Sequence, residues 1–345
     1  MKMKQEKGLK IISDFQQISK NDWWQFVIDH PRGNIFQSPP YYEVMKSTPL
    51  YYPFILIAKN EGKITGVMLV VVQKEFGWFA GYLTSRAIIM GGPLISKDDP
   101  EVLEIMLHFY KENFKRHALY TQIRNLHDLG WAKQKFKENG FYFEEHLNIL
   151  ISLNVSEEQL NSAMHKSRKR NFIKALNKGV ELVEINSTDQ VSIGFELIRE
   201  TYERVMLPYA CKELFVRAFE KLKDQKLIKG VLAVHEGKVI GIRLVFLYKK
   251  LIYDWYAGSS FEERNKYPND FLIYHILLWG MKNGYEVFDF GGAGHPHEEY
   301  GVREHKLKFG GKVVNFGRFQ LVHAPILYKI ISKSFILWRN LKKMT

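Results

Sequence analysis

Two β-hairpin patterns, 175 residues apart, constrain the fold of this 345-residue chain more than any other feature. The first is YYPFILIAKNEGKITGVMLVVVQ and the second is KGVLAVHEGKVIGIRLVFLY. Each places two apolar strands on either side of a polar, glycine-containing turn, as an antiparallel hairpin requires. The Glu-Gly-Lys turns at residues 61–63 and 236–238 repeat at the same spacing as Gly66 and Gly241. Repetition at this length predicts two copies of one α/β unit.

A helix and then a strand follow each hairpin. PEVLEIMLHFYKENF has a helical period and precedes YTQIRNL, whereas the apolar helix from Phe271 to Lys282 precedes the strand YEVFDFGG. Asn269 or Asp270 is the predicted cap of this second helix. Asp289 is carried by the strand into a Gly-Gly turn. A strand, a crossing helix and a neighbouring strand form the core of an α/β unit.

The charge balance favours an anionic partner. Lys and Arg number 50 against 37 Asp and Glu, which gives a net charge of +13. Nucleic acid, a phosphorylated substrate and an anionic membrane face all fit, and so does a merely basic soluble protein. Cys211 is the single cysteine, so no disulfide forms within the chain. No signal-peptide pattern or membrane-spanning run is found, and we therefore expect a cytoplasmic protein.

The most basic segment, HKSRKRNFIKALNKG, lies between the two copies. Arg168, Lys169, Arg170 and Lys174 fall within one predicted helix, with apolar residues interleaved. Such a helix is either a solvated charged face or a surface that binds phosphates. We favour the phosphate-binding surface.

A second basic segment, GVREHKLKFGG, follows the glycine-rich turn and contains Arg303, Lys306 and Lys308. Acyl transfer to an amine needs an aligned, neutral amine and a positive group beside the developing oxyanion. A lysine next to glycines is suited to the second task. Arg303, Lys306 and Lys308 are the candidates for that positive group.

FDFGG followed by GVREHKLKFGG resembles the end of the second domain of the FemAB family of non-ribosomal peptidyltransferases. The resemblance implies an α/β fold of two tandem GNAT-like domains, with mixed sheets flanked by helices. It predicts a first domain over residues 1–153, a second over 154–320 and a C-terminal helix over 321–345. No coiled-coil insertion of the kind found in some members is visible, so the chain resembles the shorter members.

The resemblance implies a tRNA-dependent aminoacyltransferase. Such enzymes move an amino acid from aminoacyl-tRNA, their co-substrate, to the stem peptide of a peptidoglycan precursor, without a cofactor. Lys306 matches the family's lysine, which implies a role at the oxyanion, while His305 stands where the family has an aromatic residue. Asp289 is a second candidate, either accepting the proton of the amine or orienting it. The basic helix with Arg168, Lys169, Arg170 and Lys174 would then contact tRNA.

Further candidates concern the binding of the precursor. Lys46, in a segment with Phe36, Gln37 and Tyr41, resembles a family lysine that meets the phosphates. Arg204, in a Glu-Thr-x-x-Arg element, resembles an arginine that contacts the diphosphate, although Glu200 and Arg204 could equally form an i, i+4 pair. The remaining substrate-binding candidates are Tyr253, Tyr256 and Arg303.

Two other functions stay open. An N-acyltransferase that uses acetyl-CoA to modify an amino sugar or cell-surface polysaccharide would share the fold. The segment SSFEERNKYPND, which lacks a glycine for the diphosphate of CoA, argues against it. A non-catalytic module for anionic glycans would not need Lys306. No metal site is predicted, because His295 and His297 have no evident third ligand.

The C-terminal residues 326–343 form a basic amphipathic pattern. The helix that it predicts could pack on the first domain. Alternatively it could contact the membrane surface, which would place the protein peripherally at the inner face of the cytoplasmic membrane.

Overall fold

The computed structural model describes residues 8–75, 81–331 and 333, and the chain divides into two units. Unit 1 is Met1–Glu145 with Phe316–Thr345, and unit 2 is His146–Asn315. The described helices are α1 Lys20–Asp29, α2 Pro39–Lys46, α3 Pro100–Phe114, α4 Lys133–Glu138, α5 Glu157–Ala163, α6 Lys166–Asn177, α7 Thr188–Arg204, α8 Lys212–Leu222, α9 Pro268–Lys282 and α10 Gly301–Leu307. Residues 325–331 are also helical.

Each unit contains one mixed β-sheet. The strands are β1 Leu9–Ile12, β2 Tyr51–Asn60, β3 Lys63–Gln73, β4 Arg86–Met90, β5 Leu94–Ile95, β6 Tyr120–Arg124, β7 Tyr142–Glu144, β8 Leu147–Ser152, β9 Glu181–Glu184, β10 Ile228–His235, β11 Lys238–Tyr248, β12 Leu251–Ser259, β13 Val287–Gly292, β14 Lys312–Asn315 and β15 Arg318–Val322. The order in unit 1 is β1-β2-β3-β4-β6-β15-β7, with β5 on β3. The order in unit 2 is β14-β8-β13-β12-β11-β10-β9.

The predicted internal repeat is confirmed by the two hairpins. β2 pairs with β3, and β10 with β11, in antiparallel register. Each hairpin has a register shift just before its turn, after Ala58 in the first and after Ala233 in the second. These positions are again 175 residues apart. The repeat therefore extends to a backbone irregularity as well as to the sequence of the turn.

In both units, a helix crosses between two parallel strands and buries its apolar face on the sheet. The helix is α3 between β4 and β6 in unit 1, and α9 between β12 and β13 in unit 2. Met106 and Tyr110 of α3 are fully buried in the core of unit 1. Phe271 and Leu277 of α9 take the same place in unit 2.

Two strands lie in a different unit from the one that the sequence predicts. β8 follows β7 in the chain, yet it pairs with β13 and β14 in the sheet of unit 2. β15 follows β14, yet it pairs with β6 and β7 in the sheet of unit 1. The predicted boundaries at 153/154 and 320/321 are therefore displaced to 145/146 and 315/316.

α1 begins at Lys20 behind the Ser19 hydroxyl, which accepts from the Asp22 amide. The predicted cap of α9 is wrong. α9 begins at Pro268, after Tyr267 in a left-handed conformation, so Asn269 and Asp270 lie in its first turn. Proline suits that first position, because its missing N–H would have had no partner in the helix.

Candidate active site in the second unit

The parallel strands β12 and β13 separate after three paired residues. Leu251, Ile252 and Tyr253 pair with Val287, Phe288 and Asp289, and the two strands then diverge. A cavity of about 490 Å³ lies in unit 2 beside the separated strands, lined by residues 253–259 of β12 and 290–292 of β13. The carbonyl and amide groups that would have joined the two strands need other partners there.

Lys306 binds two carbonyl groups of β13 at the wall of this cavity. Its ammonium donates to the carbonyl oxygens of Phe290 at 2.7 Å and Gly292 at 2.9 Å. Within the described part of the chain this uses two of its three N–H donors, so one N–H remains for a ligand in the cavity. Burial lowers the pKa of Lys306, while the Asp254 and Asp289 carboxylates act in the opposite direction. The basic segment that holds Lys306 is the short helix α10.

A buried network of charged and amide side chains stands beside Lys306. Arg243, only 3% exposed, donates to Asp254 at 2.5 Å and to the Asn269 side-chain oxygen at 2.6 Å. The Asn269 amide nitrogen lies 3.0 Å from Nε2 of His305. The charges of Arg243 and Asp254 are paired, which is the condition for burying charge in a protein core, although Nε of Arg243 has no hydrogen-bond partner among the described residues.

His305 is held in a neutral form by its neighbours. Its Nε2 faces the amide nitrogen of Asn269, and its Nδ1 lies 3.3 Å from an Arg168 guanidinium nitrogen. Both ring nitrogens therefore face N–H donors, which disfavours a second ring proton. Burial lowers the pKa of His305 to about 4, with Asp270 acting in the opposite direction. The side chain that replaces the family's aromatic residue is thus an uncharged ring at neutral pH.

Asp289 lies where the two strands separate, but its carboxylate faces protein partners. It is 2% exposed, accepts from the Gly291 amide at 2.7 Å and lies 3.3 Å from the Asn148 amide nitrogen. Burial raises its pKa to about 6, against these hydrogen bonds. Asp289 is not among the residues that line the cavity. This geometry suits a carboxylate that shapes the β13 turn better than one that contacts substrate.

The cavity wall is largely aromatic. Tyr253 and Tyr256, both predicted to bind substrate, line it, and Tyr202, Trp255 and Tyr300 lie beside them. Gly291 has a φ of +67°, and a Cβ there would come within 3.0 Å of the Tyr253 hydroxyl. A glycine is therefore required at this position by the backbone conformation and by the close approach of the tyrosine.

Three cations and one carboxylate are found among the described lining residues, so the cavity favours a negatively charged ligand. The cations are Arg204, Arg243 and Lys306, and the carboxylate is Asp254. Arg204 forms the alternative i, i+4 pair with Glu200 at 3.3 Å and lies over the Phe261 ring. Its partial exposure leaves it accessible to a ligand as well.

The structure places two other predicted substrate-binding residues outside this cavity. Arg303 donates to the carbonyl oxygen of His295 at 2.6 Å and to that of Glu298, so it fixes the loop between β13 and α10. Lys46 is an exposed residue at the end of α2 in unit 1, with its ammonium 5.2 Å from the Phe15 ring centre. Gln37, from the same resemblance, is fully buried.

The basic helix α6 divides into two parts. Arg168 is drawn inward, with 2.8 Å and 3.0 Å contacts to the buried Asp270 carboxylate, and this ion pair does not favour the predicted contact with tRNA. Lys169, Arg170 and Lys174 instead line a groove of about 460 Å³ between α5 and α6, together with Lys166. None of these four cations forms an ion pair within the described ranges. This groove is therefore cationic and accessible.

Four members of the buried network are not among the site residues predicted from the sequence: Arg243, Asp254, Asn269 and Asp270. A signal was present for two of them, because a charged residue interrupts the apolar strands VIGIRLVFLY and LIYDWYAGS. A charge inside a buried strand requires a buried partner. Reading the two strands together would have predicted the Arg243–Asp254 pair.

Within the described residues, no helix combines the length and the apolar character needed to cross a bilayer. In the same ranges, no group of three or more His, Cys, Asp or Glu side chains is placed to hold a metal ion. Of the C-terminal pattern 326–343, only residues up to 331 and residue 333 are described. There Tyr328 accepts from Gln320 of β15 at 2.9 Å, within unit 1.

Known proteins are similar to this chain over most of its length. Residues 165–301 match a family model described as an acetyltransferase (GNAT) domain. Lipid II:glycine glycyltransferase of Staphylococcus epidermidis (strain RP62A) is 20% identical, covering 89% of this chain and 92% of the relative. The enzyme of the same name from Staphylococcus aureus (strain USA300) gives the same identity and coverage.

Solved structures show the same fold. The crystal structure of FemX superimposes with a TM-score of 0.72 and 17% identity, covering 93% of this chain and 99% of FemX. A tandem GNAT protein from the clavulanic acid biosynthesis pathway has a TM-score of 0.58 at 11% identity, covering 91% and 98%. The tandem GNAT-like fold with two mixed sheets is thereby confirmed. Together with the relatives above, these findings support the resemblance to the FemAB family that the motifs carry.

Proposed function

We propose that this protein is an aminoacyltransferase that moves an amino acid from aminoacyl-tRNA to the amine of a peptidoglycan-precursor stem peptide. One observation carries the proposal: the Lys306 ammonium, bound to two carbonyl oxygens of β13, lies at the wall of a cationic cavity. The relatives named lipid II:glycine glycyltransferase support a peptidoglycan precursor as the acceptor.

In the proposed reaction, the neutral amine of the acceptor attacks the ester carbonyl of aminoacyl-tRNA. A C–N bond forms, and the carbonyl oxygen becomes an oxyanion. Lys306 donates its remaining N–H to that oxygen, in a site where burial strengthens the interaction. The C–O bond to the ribose then breaks, and the ribose oxygen takes up the proton that the amine releases.

The two phosphate-bearing substrates meet separate cationic regions in this proposal. Arg204, at the cavity, binds the diphosphate of the precursor through its planar guanidinium. The groove of Lys166, Lys169, Arg170 and Lys174 binds the tRNA backbone. Asp289 acts as a positioning residue for the β13 turn and not as the base, because its carboxylate faces Gly291 and Asn148.

An acyl-CoA-dependent N-acyltransferase is the second candidate, favoured by the match of residues 165–301 to a GNAT domain model. The start of α9, where a glycine-rich turn would hold the diphosphate of CoA, instead carries the buried Asp270 carboxylate. Pro268, at the first position of this helix, also offers no N–H donor to a phosphate. This supports tRNA over CoA as the donor.

The test supplies the protein with a precursor and either charged tRNA or acetyl-CoA, and follows products by mass spectrometry. We expect the stem peptide to gain the mass of one amino acid with charged tRNA alone. Lys306→Met should abolish the gain, whereas Lys308→Met, at an exposed neighbouring position, should not. Acetylation of an amino sugar with acetyl-CoA would overturn the proposal.

A further inference from the structure

Asp254 is the carboxylate found among the described residues that line the cavity of unit 2. Its side chain is 10% exposed, and its Oδ1 accepts a hydrogen bond from Arg243 at 2.5 Å. Over the described part of the chain, its other oxygen, Oδ2, accepts no hydrogen bond. An ionised carboxylate has acceptor sites on both oxygens. Asp254 can therefore hold Arg243 and still bind a ligand in the cavity.

A β-bulge shapes the part of β12 that carries Asp254. On β11, Leu244 pairs with Tyr256 and Val245 pairs with Asp254, so Trp255 has no counterpart. Residues 253–259 all line the cavity, whereas a regular strand would direct only every second side chain to it. Bulges redirect side chains in this way and are common beside active sites.

The fold itself does not require a charged pair at this place. The counterpart of Arg243 in unit 1, 175 residues earlier, is Met68. Met68 is fully buried and pairs with Leu56 on β2, just as Arg243 pairs with Val231 on β10. Because burying a charge costs stability even when the charge is paired, the Arg243–Asp254 pair indicates a function in the cavity.

The surroundings of Oδ2 define the ligand that it suits. A carboxylate oxygen only accepts hydrogen bonds, so its ligand must be a donor, and a charged donor gives the strongest bond. The aromatic rings of Tyr202, Tyr256 and Tyr300 belong to the same wall. Their negative faces also favour a cation. An ammonium group meets both conditions.

Lys306 supplies the complementary contact in the same cavity. Burial lowers the pKa of Lys306, and Asp254 opposes this more strongly than Asp289 does, so Asp254 lies close to the ammonium. Lys306 offers an N–H to an oxygen of the ligand, while Asp254 offers an oxygen to an N–H. A carbonyl oxygen and an ammonium on adjacent carbon atoms match this pair. These two groups together are an α-aminoacyl group.

We propose that Asp254 binds the α-ammonium of the aminoacyl donor while Lys306 binds its carbonyl oxygen. The inference rests on the proposed function and adds the residue that distinguishes an aminoacyl donor from an acyl donor without an amine. An acetyl group would offer the carbonyl oxygen but leave Oδ2 of Asp254 without a partner. Asp254 is thus a specificity-determining residue and takes up no proton in the reaction.

Binding tests the ammonium site independently of transfer. Calorimetry compares two unreactive mimics of the donor end: 3′-glycylamino-3′-deoxyadenosine and its glycolyl counterpart, in which a hydroxyl replaces the ammonium. We expect the wild-type protein to bind the glycyl compound at least about tenfold more tightly. Asp254→Asn should remove this preference, whereas Asp224→Asn, the same change at an exposed position outside the cavity, should keep it. Equal affinities in the wild type would overturn the proposal, whatever the variants do.

The buried Arg243 makes a second variant necessary. Asp254→Asn alone leaves its guanidinium without a counter-charge, and this loss can unfold the protein. The double variant Arg243→Gln/Asp254→Asn removes both charges and keeps a hydrogen-bonding group at each position. It should bind the two compounds equally. A preference for the glycyl compound that persists in the folded double variant would contradict the assignment.

Transfer kinetics separates recognition of the ammonium from proton transfer. The donors are glycyl-tRNA and glycolyl-tRNA. Asp254→Asn should lower kcat/KM for glycyl-tRNA at least about tenfold more than for glycolyl-tRNA. An equal loss for both donors would identify Asp254 as a base or as a support for Lys306, against the proposal. If no charged tRNA supports transfer, the proposed function fails, and the calorimetric preference still decides the role of Asp254.

Discussion

The two units share one architecture, but the pairing of their central parallel strands differs in length. In unit 1, β4 and β6 stay paired over five residues, and the Gly91 amide continues the pairing to Arg124. In unit 2, β12 and β13 pair over only three residues before they separate. The same fold therefore gives a closed sheet in one unit and a cavity in the other.

The polar side chains that bind the central strands also differ between the two units. In unit 1, the fully buried Gln37 donates to the Met90 carbonyl and accepts from the Leu69 amide, at 2.8 Å each. A neutral amide with one donor and one acceptor thus bridges β3 and β4. In unit 2, Lys306 offers donors alone and brings a charge to β13. Gln37 joins β3 to β4, whereas both Lys306 contacts are on β13, so the two polar side chains act on different strands of the repeated unit.

The largest expected effect tests the charge of Lys306. Lys306→Met should lower kcat by about 10²–10³-fold with little change in KM, because it removes a donor that acts on the oxyanion. Steady-state transfer kinetics measure this, with Lys308→Met as the control. Unchanged turnover in a folded Lys306→Met protein would show that Lys306 binds backbone carbonyls and takes no part in the reaction.

The second prediction concerns the carboxylate where β12 and β13 separate. The folded pKa of Asp289 is about 6, above its ordinary value of 3.8, so its contribution to stability is present below pH 3.8 and lost as the pH rises through 6. Asp289→Asn should therefore stabilise the protein above pH 6, by about 3 kcal/mol at full shift. Denaturant unfolding between pH 4 and 8 measures the difference.

The control for Asp289→Asn is Asp224→Asn, at an exposed position, which should show no such pH dependence. A difference in free energy of unfolding that stays constant from pH 4 to 8 would contradict a raised pKa at Asp289.

The third prediction concerns the buried Gln37 side chain of unit 1. Gln37→Ala should lower the free energy of unfolding by about 2 kcal/mol, because it leaves the buried Met90 carbonyl and Leu69 amide without their partner. Transfer activity per folded molecule should stay unchanged. Chemical denaturation and active-site-normalised kinetics check both parts, and Gln25→Ala, at an exposed position of α1, is the control. A fall in kcat at unchanged stability would show that unit 1 also takes part in the chemistry.

The smallest expected effect concerns the donor surface of unit 2. Replacing Lys169, Arg170 and Lys174 by Gln should weaken tRNA binding about tenfold and make its salt dependence shallower. The reason is that fewer phosphate contacts release fewer counterions when tRNA binds. Filter binding over a salt series measures this. The control replaces three exposed lysines of unit 1: Lys63, Lys97 and Lys137. An equal loss in the control would point to general charge and not to the groove.

Much of the site was accessible from short motifs. Lys306, Arg204, Tyr253 and Tyr256 were predicted, and all four line one cavity. Arg303 was predicted to bind substrate, but its guanidinium fixes a loop, because its direction is set by backbone carbonyls that no motif contains. Their roles in catalysis and binding stay predictions until the variants are measured.

The sequence by itself determined the repeated unit, because hydrophobic periodicity and turn residues act over a few neighbouring positions. Both hairpins, the helices α3 and α9 and the strands after them follow from it. Tertiary structure alone decided the sheets that β8 and β15 join, and the pairing of Arg168 with Asp270, 102 residues away. Strand partners and buried ion pairs depend on which groups meet in space, and that is settled when the apolar faces pack and every buried polar group must find a partner.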